Sequence, residues 1–181
     1  AHALKNYGFT ILGTDPLDID RAEDRSKFSN LLDNLHIDQP AWNKFTNFTE
    51  ALAFAQKVGF PILLRPSFVL SGTMMRICHN QKELEHYLKD ATLVSKEYPI
   101  TVSKFIEEAK EIELDAVAHN GSVGPLIISE HIENAGVHSG DATIVLPPQK
   151  VNEETKTRIR EIGHKLAYAL KITGPFNIQF L

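Results

Sequence analysis

Three carboxylates alternate along the short stretch "KEIELDA". If this stretch is a β-strand, Glu111, Glu113 and Asp115 share one face, and Ile112 and Leu114 lie on the other. Three neighbouring carboxylates repel one another. They therefore need water, a basic side chain, a ribose hydroxyl partner or a metal ion beside them. A solvated face is the commoner explanation of such a charge run, and a binding face is the other.

A second polar stretch, "RPSFVLSG", follows an apolar run. Arg65 leaves that run, and Pro66 disfavours a helix there. Ser67, Ser71 and Gly72 could then bring backbone N–H groups to an anion, although many plain surface turns have this composition. The phosphate-binding motifs G-x-x-x-x-G-K-[ST] and G-x-G-x-x-G are absent, so a bound nucleotide would be held in another way.

The segment "SEHIENAGVHSGDATIV", residues 129–145, joins two apolar runs and is expected to be a long polar loop. Gly136 would let its main chain approach a ligand, and His138 and Ser139 supply donors. The spacing of His131 and His138 fits no standard zinc pair. In "PFNIQFL", Gln179 could offer its carbonyl oxygen to Mg²⁺ or be an ordinary edge-strand glutamine.

Hydrophobic periodicity predicts the elements that must position these residues. Strands are predicted in "FTIL", "AWNKF", "PILLRPS", "MMRICHN", "ITVSKFI", "EIELDAVA", "SVGPLIISEHI", "TIVLPPQ" and "GPFNIQFL", with Asn120-Gly121 as a tight hairpin turn. Helices are predicted after a cap at Thr14 or Asp15, in "DRSKFSNLLDNL", "NFTEALAFAQKVG" and "QKELEHYLKDATLVS", and over residues 153–170. This order indicates two small α+β layers joined near residues 105–113.

Composition limits the classes of function. The chain has 181 residues and a formal net charge of −4, which gives no general attraction to nucleic acid or an anionic membrane. Its one cysteine, Cys78, excludes an internal disulfide framework and a cysteine-rich zinc site, and is expected to be a buried filler. No stretch is apolar for the length of a bilayer, and no leader is recognisable.

The order of five phrases is more specific than any one of them. "AEDRSKF", "RPSFVLSG", "SKFIEEAKEIELDA", "SEHIENAGVHSGDA" and "GPFNIQF" closely resemble the large chain of carbamoyl phosphate synthetase, in the second, C-terminal half of its eukaryotic forms. The resemblance covers nearly the whole chain. It implies an α+β ATP-grasp fold in which two subdomains clamp ATP with Mg²⁺ or Mn²⁺, and phosphorylation of carbamate to carbamoyl phosphate. Such phosphoryl transfer depends on positioning and charge neutralisation.

The resemblance also implies the roles of single residues. Arg25 and Arg65 match arginines that face the phosphates, Lys104 and Ile106 match positions that line the adenine, and Glu111 matches the acid that binds the ribose hydroxyls. The whole implied nucleotide-binding set is Arg25, Arg65, Ser71, Gly72, Lys104, Ile106, Glu111, Gly136, Val137, His138 and Ser139.

Two further roles complete the implied site. Arg65 and His138 are the residues expected to act in catalysis, and Gln179 matches the first metal ligand. The family continues after "NIQF" with a glutamate and an asparagine that complete the metal site. We therefore expect a fold truncated at its C-terminal end, with weak or no turnover by this chain alone.

The resemblance predicts the organisation of the chain and its partners. Residues 1–23 would be the tail of a preceding domain, 24–110 the N-terminal subdomain with its phosphate-covering loop, and 111–181 the start of the C-terminal subdomain. Expected partners are ATP, carbamate, the rest of the synthetase and a glutaminase domain or subunit, with no nucleic acid and no membrane. The compartment would be cytoplasmic or, alternatively, mitochondrial. The competing hypotheses are another ATP-grasp ligase, such as a biotin carboxylase relative, and a catalytically silent scaffold.

Overall fold

The structure is a computed structural model that describes residues 2–66, 75–90, 99–137 and 140–181. These residues form two compact units. The smaller unit is Asp38–Ile106, and the larger one combines the residues up to Ile37 with Glu107–Leu181. In the described ranges, no helix is both long enough and apolar enough to cross a membrane.

Three helices come first along the described residues, and strands predominate after them. In order, the elements of the described residues are α1 (His2–Asn6), α2 (Pro16–Glu23), α3 (Arg25–Asn34), β1 (Trp42–Phe45), α4 (Phe48–Val58), β2 (Ile62–Pro66), β3 (Arg76–Cys78), α5 (Gln81–Asp90), β4 (Ile100–Lys104), β5 (Lys110–His119), β6 (Ser122–Asn134), β7 (Ile144–Val145), α6 (Glu153–Ala169) and β8 (Gly174–Phe180). The predicted strand at residues 9–12 is wrong, because this segment has no regular structure and Leu12 is 94% exposed. Helix α1 was not predicted.

The smaller unit is an antiparallel sheet of order β1-β4-β2-β3 with α4 and α5 packed on it. Its core takes alternate residues of the central strands, including Ile62, Leu64 and Val102. Helix α4 ends at Val58, and the C-cap residue Gly59 has a φ of 76°, which favours glycine. Cys78 is buried in this core, and burial raises the pKa of its thiol to about 11, which confirms the expected filler role.

The larger unit is an antiparallel sheet of order β7-β6-β5-β8, with α6 packed on one face. The predicted hairpin turn joins β5 to β6, and both of its residues have positive φ, 48° at Asn120 and 82° at Gly121. Helix α6 approaches β5 closely at Gly163, where an added Cβ would lie 2.8 Å from Leu114 Cδ1.

Helices α2 and α3 belong to the larger unit. Asp15 caps α2 by accepting a hydrogen bond from Leu17 N, and Leu31 of α3 packs in one apolar cluster with Leu166 and Leu170 of α6 and its C-terminal end. This packing joins residues 24–37 to residues 107–181, whereas the sequence-based division put them with residues 38–110. The assignment of residues 1–23 to a preceding domain stays a prediction.

Candidate functional site

The face of β5 that lies opposite α6 carries the three alternating acids. Glu111, Glu113 and Asp115 share this face, as predicted, while Leu114 and Ala116 pack in the core on the α6 side. Only Asp115 is exposed. Glu111 and Glu113 are 8% and 6% exposed. The solvated-face interpretation is therefore wrong for these two carboxylates.

Three side-chain donors converge on the carboxylate of Glu113. His131 Nε2 lies 2.9 Å and Gln179 Nε2 3.1 Å from Oε1, and Asn177 Nδ2 lies 3.1 Å from Oε2. Burial raises the pKa of Glu113, but the hydrogen bonds from these three side chains outweigh burial and hold the pKa below its usual value. Asn177 Nδ2 also donates to Asp115 Oδ1 at 2.9 Å, so Glu113 and Asp115 both accept side-chain hydrogen bonds.

Strand register explains why these groups meet. Glu113 pairs with Gln179 on β8 and with Ser129 on β6, and His131 lies two residues beyond Ser129 on the same face. His131 is 1% exposed. The sequence raised it only as a poor zinc candidate and missed its contact with Glu113. The sequence did contain a signal for this contact: if the strand continues to Asn134, Ser129 and His131 share one of its faces.

Glu111, Glu113 and His131 form a buried group with metal-ligand chemistry. One ligand atom from each lies within 4.8 Å of the others. However, Glu113 already accepts from N–H donors through both oxygens, and His131 must hold its Nε2 proton to donate to it. Gln179 and Asn177 both turn their amide nitrogens toward Glu113, so the carbonyl oxygen of each side chain points away from it. A carbonyl oxygen suits a hard divalent cation such as Mg²⁺, so Gln179 fits the implied metal role.

The predicted polar loop is shorter than residues 129–145. Its first six residues belong to β6, and residues 135–143 connect β6 to β7. The main chain closes this connection, with Ala135 N donating to Ala109 O at 2.8 Å and Ile132 N to Thr143 O at 2.9 Å. Gly136 has a φ of 111°, a conformation that favours glycine, and its approach to a ligand stays a prediction.

The side chains of Lys110 on β5 and Glu130 on β6 form hydrogen bonds with the main chain near this connection. Lys110 Nζ donates to the main-chain oxygens of His131 at 2.7 Å and Ile132 at 3.1 Å. Glu130, which is 2% exposed, accepts from the backbone N–H groups of Gln149 and Lys150 at 2.9 and 2.8 Å. The bond from Lys150, followed by smaller contributions that include Gln149 and Lys110, lowers the pKa of Glu130 against the effect of its burial. The two side chains fix the segments on either side of residues 135–143.

The remaining predicted residues are distributed over both units. In the smaller unit, Arg65 is half-buried on β2 and Ile106 is 39% exposed. Lys104 Nζ donates hydrogen bonds to the carbonyl oxygens of Gly59 and Phe60 at 3.1 and 2.8 Å. In the larger unit, Arg25 is exposed in the first turn of α3 and Val137 is 39% exposed. The structure thus groups Glu111 with Gln179 on one sheet. Five predicted residues lie outside the described ranges: Ser67, Ser71, Gly72, His138 and Ser139.

Comparison with known proteins identifies the family. The family model described as "Carbamoyl-phosphate synthase L chain, ATP binding domain" matches residues 24–181. The chain belongs to this family. The resemblance seen in the five sequence phrases is therefore confirmed. Residues 24–181 are an ATP-binding domain of the carbamoyl-phosphate synthase large-chain family.

Curated relatives agree with the family match. "Multifunctional protein pyr-3" of Neurospora crassa is 55% identical over 178 residues, which are 98% of this chain and 10% of that protein. "Carbamoyl phosphate synthase arginine-specific large chain" of Eremothecium gossypii is 52% identical over 181 residues, which are 100% of this chain and 16% of that protein. The chain therefore spans only a small part of the relatives that it matches.

Solved structures give the fold. The biotin carboxylase domain of Hydrogenobacter thermophilus 2-oxoglutarate carboxylase, solved with MgADP, ADP and bicarbonate, is similar with a TM-score of 0.78. The identity is 19%, and the match covers 99% of this chain and 41% of that one. This likeness confirms the α+β ATP-grasp fold and, at such identity, shows the fold alone.

Proposed function

We propose that the chain is the nucleotide-binding segment of the carbamate-phosphorylating half of a carbamoyl phosphate synthetase. In that reaction a carbamate oxygen attacks the γ-phosphorus of ATP, the bond to the bridging oxygen breaks, and carbamoyl phosphate and ADP leave. The reaction needs no covalent enzyme intermediate. The rest of the synthetase, and a glutaminase domain or subunit that supplies nitrogen, are the partners that this proposal requires.

The observation that carries the proposal is the polar face of β5 and β8, on which Glu111 and Glu113 are buried while Gln179 is exposed. Glu111 lies there at 8% exposure, on the same sheet as Gln179, whose amide nitrogen is held by Glu113. A carboxylate that is kept from bulk water is a strong acceptor for ribose hydroxyls. The neutral amide oxygen of Gln179, on the same sheet, would bind Mg²⁺ or Mn²⁺ without adding negative charge near the phosphates.

The other roles follow from charge and backbone conformation. Arg65 would hold phosphate oxygens with its planar guanidinium. Gly136 would let the main chain of residues 135–143 approach the nucleotide, with Val137, His138 and Ser139 after it. When bound, the divalent cation would neutralise part of the triphosphate charge.

The ribose assignment can be tested with a matched pair of glutamates in the full-length synthetase. Glu111→Gln keeps the size of the side chain but removes its charge, so we expect ATP to bind about tenfold more weakly, as for loss of one charge-assisted hydrogen bond. Glu107→Gln makes the same change at an exposed glutamate nearby and should leave ATP affinity unchanged. Isothermal titration with a non-hydrolysable ATP analogue measures both.

Carbamate-dependent release of ADP then tests the reaction itself. The Glu111→Gln protein should retain this reaction at saturating ATP with a raised KM for ATP. Equal ATP affinities in the two variants would refute the role of Glu111. A full-length protein whose melting temperature does not respond to ATP with Mg²⁺ would be the silent scaffold, because a ligand specific for the native state must stabilise it.

A further inference from the structure

Both side-chain amides of the polar face of β8 contact carboxylates of β5. Gln179 donates from Nε2 to Glu113 Oε1 at 3.1 Å, and Asn177 donates from Nδ2 to Glu113 Oε2 at 3.1 Å and to Asp115 Oδ1 at 2.9 Å. Among the described residues, Glu113 is thus the one acid of this row that accepts a side-chain hydrogen bond from Gln179. It is also buried, so water does not compete freely for its oxygens.

The chemistry of a carboxylate fixes the orientation of the Gln179 amide. An ionised carboxylate can only accept hydrogen bonds, so the amide must turn its nitrogen toward Glu113. The reverse orientation would place the amide oxygen against a carboxylate oxygen. Because the amide group is planar and rigid, holding the nitrogen at Glu113 also directs the carbonyl oxygen away from Glu113.

Glu113 is poorly suited to bind a cation itself. Its two oxygens already accept from three N–H groups, on Gln179, Asn177 and His131, at 2.9–3.1 Å. A cation at this carboxylate would lie against those three positively polarised hydrogens. His131, with Nε2 as a donor, orients the carboxylate from the β6 side.

We propose that Glu113 is a positioning residue of the metal site, which holds the Gln179 amide so that its carbonyl oxygen is available to the divalent cation. This inference rests on the proposed function, which makes Gln179 a metal ligand. Groups that orient a ligand from behind set metal affinity although they never contact the metal. Glu113 would therefore act only through Gln179.

The test is a double-mutant cycle on Mn²⁺ binding, measured by electron paramagnetic resonance on the full-length synthetase with a non-hydrolysable ATP analogue. Gln179→Leu and Glu113→Leu should each weaken Mn²⁺ binding at this site by about tenfold or more. The double variant should bind Mn²⁺ within about twofold of Gln179→Leu, because groups that act through one another are not additive. Asp115→Asn, the control, changes a carboxylate that contacts Asn177 but not Gln179, and should leave Mn²⁺ affinity unchanged.

The outcomes separate this inference from the function on which it rests. If Gln179→Leu leaves Mn²⁺ affinity unchanged, the metal role in the proposed function fails. If Gln179→Leu weakens binding but Glu113→Leu does not, or if the two losses add in the double variant, the positioning role is overturned and the proposed function stands. If Glu113→Leu does not fold, Glu113→Leu/His131→Leu replaces it in the cycle. Removing both partners of the buried hydrogen bond leaves no unsatisfied polar group in that pair.

Discussion

Arg65 and Arg76 lie on neighbouring strands of the smaller sheet but on opposite faces. Arg65 alternates with the core residues Ile62 and Leu64 on β2 and so lies on the face away from the core. Arg76 pairs with Leu64, lies on the core side at the sheet edge and is exposed. The two residues have the same charge, but their side chains leave opposite faces of the sheet.

This difference gives a prediction for the full-length synthetase. Arg65→Ala should weaken ATP-analogue binding by about tenfold or more, because hydrogen bonds to charged groups contribute about 1.5–3 kcal/mol each. Arg76→Ala should change ATP affinity by less than about twofold, because exposed charges away from a ligand contribute little. Titration calorimetry on both variants measures the effect. Equal, small losses would contradict the phosphate role of Arg65.

Among the elements, the β5–β6 hairpin shows how far the sequence can predict the site. The Asn120-Gly121 turn and the alternating pattern of β5 predicted the hairpin and the shared face of Glu111 and Glu113. A regular ladder counted from that turn would place Ile128 opposite Glu113. The observed register shift between Ala116 and Ala118 places Ser129 there instead and brings His131 to the acidic face.

The missed shift had a local signal. Gly124 and Pro125 lie in β6 at the point where the register changes. Glycine or proline inside a strand often marks a β-bulge. Contacts such as Glu113 with Gln179 could be expected only in general terms, because β5 and β8 are far apart in sequence and their register depends on packing. Likewise, the packing of α3 on α6 follows from tertiary burial of Leu31, which the sequence pattern does not assign to a particular partner.

The same hairpin gives a stability prediction with a matched control. Gly121 has a φ of 82°, and an added Cβ would lie 2.9 Å from Tyr168 Cα, in the backbone of α6. Gly121→Ala should therefore lower the free energy of unfolding by about 1–3 kcal/mol, since it combines backbone strain with a clash that a rotamer change cannot relieve. At Gly124, the nearest atom would be 3.6 Å away, so Gly124→Ala should change the free energy of unfolding by less than about 1 kcal/mol.

Urea denaturation of the chain, followed by circular dichroism, measures both substitutions. The larger unit should lose stability in Gly121→Ala while the midpoint for Gly124→Ala stays close to that of the parent sequence. If the two variants lose equal stability, the close approach of the turn to α6 does not determine the stability of this unit.

For the whole molecule, we expect activity to depend on more of the synthetase than these 181 residues. The chain spans 10% and 16% of the two relatives described above. Mg²⁺ at phosphate-transfer sites is held by one or two carboxylates together with phosphate oxygens and water. In the proposed site Gln179 offers one neutral oxygen, while Glu113 is occupied by its three donors and Glu111 is assigned to the ribose.

The purified 181-residue chain should therefore show no carbamate-dependent release of ADP with Mg²⁺ and ATP, whereas the full-length synthetase should show it under the same conditions. Binding can be separated from turnover by measuring the melting temperature of the chain with ATP alone and with ATP and Mg²⁺. A single neutral ligand contributes little affinity for a cation that gives up its water reluctantly, so Mg²⁺ should add only a small shift to that caused by ATP. Turnover by the isolated chain at the rate of the full-length enzyme would show instead that these residues hold a complete metal site.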